Sequence, residues 1–124
     1  MGPAGAQPVN SFDMVQVKPG RVQEYLELFR KYDKPVLEKL LADGTIYGYY
    51  FTTEAIHTTK PGKVWVSVVM PGLGTMDAVR AAYVEANKKL PEAESKLLER
   101  LYFDLTEEGT HRDGLSMSLT FRSK

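Results

Sequence analysis

The stretch Val64-Trp-Val-Ser-Val-Val-Met70 decides the fold. It is rich in β-branched residues, and as a strand it turns Val64, Val66 and Val68 to one side and Trp65, Ser67 and Val69 to the other. Both sides are largely apolar, which predicts a central strand. Pro61-Gly62 precedes it and Pro71-Gly72 follows it, so turn residues bound it at both ends.

Working outward toward the N-terminus, residues 58–62 read as a loop, and Ile46 to Thr53 as a second, half-buried strand. Tyr47, Tyr49 and Phe51 fall on one side of it, and Ile46, Gly48 and Tyr50 on the other. Before it runs a long helical stripe: Val22, Tyr25, Leu26, Phe29, Tyr32, Val36, Leu37, Leu40 and Leu41 recur at three- and four-residue spacing. Glu24, Glu27, Arg30, Lys31 and Lys34 occupy the opposite side, with Glu27 and Lys31 spaced as an i,i+4 ion pair. Pro35 interrupts this stripe. Its ring removes a donor and disfavours helical dihedrals at Lys34, so a kink or two abutting segments are expected. Gly44 supplies the stop. Phe12 to Val17 is the first strand, ended by Lys18-Pro19-Gly20-Arg21.

Toward the C-terminus, Thr75 is placed to cap a helix with Asp77 in its first turn and the stripe Met76, Val79, Tyr83 and Ala86. Pro91 opens a second segment bearing Leu97, Leu98, Leu101, Tyr102 and Leu105, which Gly109 closes. Leu115, Met117, Leu119 and Phe121 then alternate with Ser116, Ser118, Thr120 and Arg122. This is a period of two, with one buried and one polar side expected.

The whole chain sets outer bounds. Its 124 residues fit one domain, expected over residues 10–124 behind a disordered leader over residues 1–9. Sixteen basic residues balance sixteen acidic ones, so charge supplies no reason for a nucleic-acid or anionic-membrane partner. The absence of cysteine excludes disulfides, thiolate metal sites and a cysteine nucleophile. No apolar run approaches the roughly 20 residues that cross a bilayer. A cytoplasmic location is the default; Ala4-Gly5-Ala6-Gln7, which looks like the end of a secretory signal, keeps export as the alternative.

The order is therefore strand, helix, strand, strand, helix, strand. Two right-handed crossovers of this kind give an α+β, ferredoxin-like sandwich: a four-stranded antiparallel sheet with its helices on one side. The other side would carry some of Trp65, Val69, the Tyr47, Tyr49 and Phe51 row, and the Ser116, Ser118 and Thr120 row. That surface is too apolar to leave to water, which predicts a homodimer formed by pairing two sheets. The succession of Val17-Lys-Pro-Gly-Arg21, the helix broken at Pro35, Gly44 before an aromatic strand, Val64–Met70 and Leu115–Phe121 resembles the dimeric α/β-barrel superfamily of ferredoxin-like domains. The resemblance spans residues 10–122 and rests on element pattern. It implies a homodimer whose sheets form a barrel. It does not select a function, because members include cofactor-free monooxygenases, haem enzymes, lactone isomerases, sugar mutarotases, stress-responsive proteins and effector-binding modules. Haem members use a helical histidine, which neither helical region here contains, so no cofactor is expected.

The candidate site residues follow from chemistry. His57, beyond the second strand, is a candidate general base, and its ordinary role is an exposed loop histidine. His111 sits in the polar turn Gly109–Gly114 and reads as a surface residue; the two histidines lack metal-ligand spacing, so no metal site is expected. Asp13, a carboxylate within a strand, is a second catalytic candidate if it faces a pocket, as is Asp104 in a helical stripe. Tyr25, Tyr47, Tyr49, Phe51, Trp65 and Tyr83 are the ligand-binding candidates, because pockets for small organic molecules are mostly apolar with a few placed hydroxyls. Core packing and dimer contact compete for the same rings. The turns Lys18-Pro-Gly-Arg21 and Lys60-Pro-Gly-Lys63 carry charge that would suit an anion, against a simpler role as polar turns. Three readings stand at this stage: a module binding a small hydrophobic or aromatic molecule, a cofactor-independent monooxygenase or isomerase on a small aromatic substrate, and a dimerisation or stress-associated module without a pocket. Whether the chain is an enzyme stays open.

Overall fold

Alternation and helical spacing give the elements expected, with boundaries set by turns. The computed structural model describes residues 8–54 and 60–117. Strand β1 spans Val9–Gln16, helix α1 Val22–Leu28, α2 Lys34–Ala42, β2 Gly48–Thr53, β3 Lys63–Met70, α3 Thr75–Lys88, α4 Glu92–Leu105 and β4 Arg112–Met117. The four strands form one sheet in the order β2-β3-β1-β4, and every neighbouring pair is antiparallel. This is the α+β, ferredoxin-like arrangement, with β3 inside the sheet as its two apolar sides require.

Register assigns the sides. Val15 lies opposite Val64, Asp13 opposite Val66, Ser11 opposite Val68 and Val9 opposite Met70, so these residues share one side of the sheet. That side meets the helices. Val9, Val68 and Met70 pack with Phe29, Leu37, Leu40 and Ile46, while Val15, Val17 and Val64 form a smaller cluster against Val22 and Tyr25. Burying such side chains stabilises by roughly 1.5–3 kcal/mol each.

Between α1 and α2 the chain makes a π-helical turn over Phe29–Asp33, in which the Lys34 N–H donates to the Phe29 carbonyl. Proline explains it. Pro35 cannot donate within a helix, but it is accommodated in the first turn of a new one, and α2 begins one residue before it. The wide turn restarts the helix there, so the break expected at Pro35 is a π turn joining two abutting segments.

Several sequence expectations are corrected. β1 starts at Val9, earlier than Phe12, because Val9 pairs with both Met70 and Met117. Tyr49 and Phe51 stand on the helix side, where Phe29 packs against both rings at 6.2 and 5.2 Å; they are not part of the open side of the sheet. Gly74, not Thr75, takes the position before α3, and no side chain caps that helix. Glu27 pairs with Arg30, while Lys31 in the π turn leans to Glu94, so the i,i+4 pair does not form. Leu115 and Met117 of β4 are 52% and 60% exposed, because β4 is an edge strand. Leu119 and Phe121, with Ser118, Thr120 and Arg122 of the polar row, lie outside the described residues, as do residues 1–7.

The turn into β3 generates a stability prediction. Gly62 is buried with φ of +107°, and a Cβ there would stand 2.7 Å from the Val17 carbonyl oxygen. That oxygen belongs to backbone already tied down, since the Val17 N–H donates to the Gly62 carbonyl at 2.9 Å and the Gln16 Nε2 donates to Pro61 at 2.9 Å. Gly62→Ala should therefore destabilise the domain by roughly 1–3 kcal/mol, read as a lower midpoint in urea unfolding. A midpoint equal to that of wild type would refute this account of the turn.

Candidate functional site

Strand alternation places a carboxylate among apolar neighbours. Asp13 occupies the helix side of β1, between Val66 of β3 and Asp113 of β4. Like charges directly opposite on antiparallel strands repel, and His111 lies between them. Its Nε2 is 2.5 Å from Asp13 Oδ1 and 3.2 Å from Asp113 Oδ1. The ligand atoms of these three exposed residues lie within 4.8 Å of one another, the one such group among the described residues that a cation could share. The imidazole already bridges the carboxylates. Burial raises the Asp13 carboxyl above its ordinary range and His111 opposes this; the side chain keeps 59% of its surface, so water screens it.

Helix periodicity brings a second carboxylate to the same space. Asp33, the last residue of the π turn, meets Tyr83 from α3 and Tyr102 from α4. The Tyr83 hydroxyl donates to Asp33 Oδ2 at 3.4 Å, and the Tyr102 hydroxyl donates to Oδ1 at 3.5 Å. Tyr25 packs edge-on against Tyr102 with ring centroids 5.5 Å apart. Tyr32 donates its hydroxyl to Glu94 at 2.8 Å. Burial pushes the Asp33 carboxyl up to about 6, with Asp13 adding to the rise and the tyrosine hydroxyls opposing it. The same burial, reinforced by the Asp33 charge, pushes the Tyr83 and Tyr102 hydroxyls up, so both keep their protons and act as donors.

These groups border two adjoining cavities between sheet and helices. One of about 540 Å³ is walled by Tyr25, Tyr32, Tyr83 and Tyr102 with Asp13 and Asp33. The other, of about 740 Å³, shares Asp13, Asp33 and Tyr83 and is lined by Val66, Val68, Met76 and Val79. Such space suits an organic molecule with an apolar body and one polar group.

The structure distributes the sequence candidates unevenly. Asp13, Tyr25 and Tyr83 come together at the cavities. Tyr49 and Phe51 pack in the core, Tyr47 is half exposed, and Trp65 lies on the opposite side of the sheet. His57 lies outside the described residues. His111, read as a surface residue, is exposed but stands at the cavity mouth on Asp13, and Asp104 is exposed. Asp33 and Tyr102 are absent from the sequence candidates. A polar residue two before Pro35, where a helix must be re-spaced, was the available signal for Asp33; Tyr102 carried none beyond its helical stripe.

No family model matches the sequence, and no curated protein does. Solved structures share the fold. A NIPSNAP family protein of unknown function from Agrobacterium tumefaciens superposes with a TM-score of 0.62 at 14% identity, over 98% of this chain and 97% of that one. A dimeric ferredoxin-like protein from an uncultured marine organism superposes with a TM-score of 0.65 at 6% identity, over 96% and 93%. An uncharacterised NIPSNAP-like domain protein from Burkholderia xenovorans gives 0.60 at 14% identity, over 96% and 91%. The fold is thus the ferredoxin-like one that these structures share. Among the described residues no helix is long and apolar enough to cross a membrane.

Asp33 yields a pH prediction. Its carboxyl ionises near 3.8 when unfolded and near 6 when folded. The folded state therefore holds the proton more tightly; the stability from this group is complete below about pH 4 and is lost as pH rises through about 6. Asp33→Asn, neutral throughout, should gain roughly 1–3 kcal/mol on wild type between pH 4 and 7, measured by urea unfolding at each pH. A gap that does not change with pH would contradict this.

Proposed function

We propose that this chain is a homodimer that binds a small hydrophobic or aromatic molecule in the space between its sheet and helices. The observation that carries this reading is Asp33, held by the Tyr83 and Tyr102 hydroxyls on the wall of a cavity of about 540 Å³. Structural tyrosines and aspartates are ordinarily either packed without space or turned to water. Here they border a space whose other walls mix the apolar Val15, Leu98 and Phe103 with a few polar side chains, and it adjoins one lined by Val66, Val68, Met76 and Val79; apolar walls with a few placed polar groups are the usual make-up of a small-molecule site. A module without a pocket does not need that void.

The dimer reading rests on the opposite side of the sheet. Phe12, Met14, Trp65 and Val69 stand there, joined by Tyr50, which is 59% exposed. An apolar sheet surface of this kind is covered economically by a second copy related by a two-fold axis. The marine relative in fold, described as dimeric, supports the same arrangement.

A second reading, cofactor-independent isomerisation or oxygenation, is favoured by the Asp33 carboxyl itself. A group with its pKa near 6 takes and returns a proton readily close to neutral pH. Protein-catalysed exchange of deuterium into an acidic C–H bond of a bound ligand, lost in Asp33→Asn, is its signature.

Two measurements test the main reading. Sedimentation at micromolar concentration should show a dimer, and Trp65→Ala should raise its dissociation constant about tenfold or more; a wild-type monomer throughout that range would refute the dimer. Titration with small aromatic compounds should give saturable binding that Tyr102→Ala weakens by about tenfold while leaving the sedimentation profile intact. Binding unchanged by that substitution would place the ligand elsewhere.

A further inference from the structure

Resting on the reading of this cavity as a ligand site, we propose that its ligand is an organic cation: an amine carried on a small apolar or aromatic body. The charges around the space point there. Asp33 stands on the wall, Asp13 at the mouth, and Glu99 of α4 also borders the cavity of about 540 Å³. Among the described residues lining it there is no lysine or arginine, and its histidine, His111, is engaged between Asp13 and Asp113. An anionic ligand would enter against three carboxylates. A cation would be drawn toward them.

Asp33 is also short of partners. A carboxylate accepts at about four lone-pair positions. Asp33 receives bonds from Tyr83 and Tyr102 at 3.4 and 3.5 Å, the far end of hydrogen-bonding distance. A half-buried anion with long bonds and no countercharge beside it is best completed by an ammonium, which brings charge and three donors together.

The walls supply the second half of amine recognition. Tyr25, Tyr32, Tyr83 and Tyr102 surround the carboxylate, and the electron-rich face of a phenol ring attracts a cation. The Tyr32 ring already does so within the chain, where Lys31 Nζ stands 5.1 Å from its centroid. The adjoining cavity, lined by Val66, Val68, Met76 and Val79, gives the carbon skeleton its place. Its arginine, Arg80, is 73% exposed and paired loosely with Asp77.

The test uses three probes of one shape and different charge: phenethylamine, 2-phenylethanol and phenylacetate, titrated calorimetrically into the full chain at about pH 7.5, where Asp33 is ionised. Phenethylamine should bind about tenfold or more tighter than the alcohol, and phenylacetate weakest. Asp33→Asn should level amine and alcohol, and Asp13→Asn should narrow the difference. The wild-type series reads the proposal even where a variant unfolds. Equal binding of amine and alcohol to wild type would overturn the cation assignment and leave the pocket reading standing. A preference for phenylacetate would overturn the assignment outright. Failure of all three probes to bind would overturn it together with the pocket reading.

Discussion

Proline 35 cannot donate a hydrogen bond inside a helix, and much of the site depends on how the chain accommodates that. The helix that covers the sheet must run past it to bury Leu37 and Leu40. Widening one turn, over Phe29–Asp33, allows α2 to start afresh with the proline in its first turn, where the missing donor costs nothing. Phe29 then stays in the core against Tyr49 and Phe51, while Asp33 meets the tyrosines of α3 and α4. One backbone constraint serves packing at the front of the turn and places a charge at its end.

That charge gives the space its character. A lone carboxylate among aromatic rings is costly to keep ionised, and the neighbouring hydroxyls offset only part of the cost because their bonds to it are long. The sheet contributes a second acidic group on the same side, Asp13, whose companion on β4 is held by an imidazole. The adjoining cavity sets the apolar Val66, Val68, Met76 and Val79 beside these carboxylates.

Much of this architecture was legible in the residues. Val64–Met70 read as a central strand because both of its sides are apolar, and it is central. The stripe from Val22 to Leu41 and its break at Pro35 follow from spacing and from the chemistry of one ring. The candidate site was less legible. Alternation alone does not say which side of β2 meets the helices, so Tyr49 and Phe51 could not be told from surface rings until their register with Val68 and Val66 was known. Asp33 was hidden for a different reason. A regular period carried through the stripe does not show where a wide turn resets it, and its partners Tyr83 and Tyr102 are distant in sequence. The exposure of Leu115 and Met117 has the same origin, since their alternation describes a strand and not its position at the edge.

The wide turn also means that the site is encoded in a residue count as much as in residue types. Each helical position advances about 100° around the axis, so shortening the turn by a single residue would swing everything on one side of it by that angle relative to the other. Every tyrosine and aspartate would still be in the chain, in the same order, and the constellation would be gone. In chains of this fold, resemblance judged by which side chains are present can therefore overlook the loss of the site, whereas the spacing between Phe29 and Pro35 would register it.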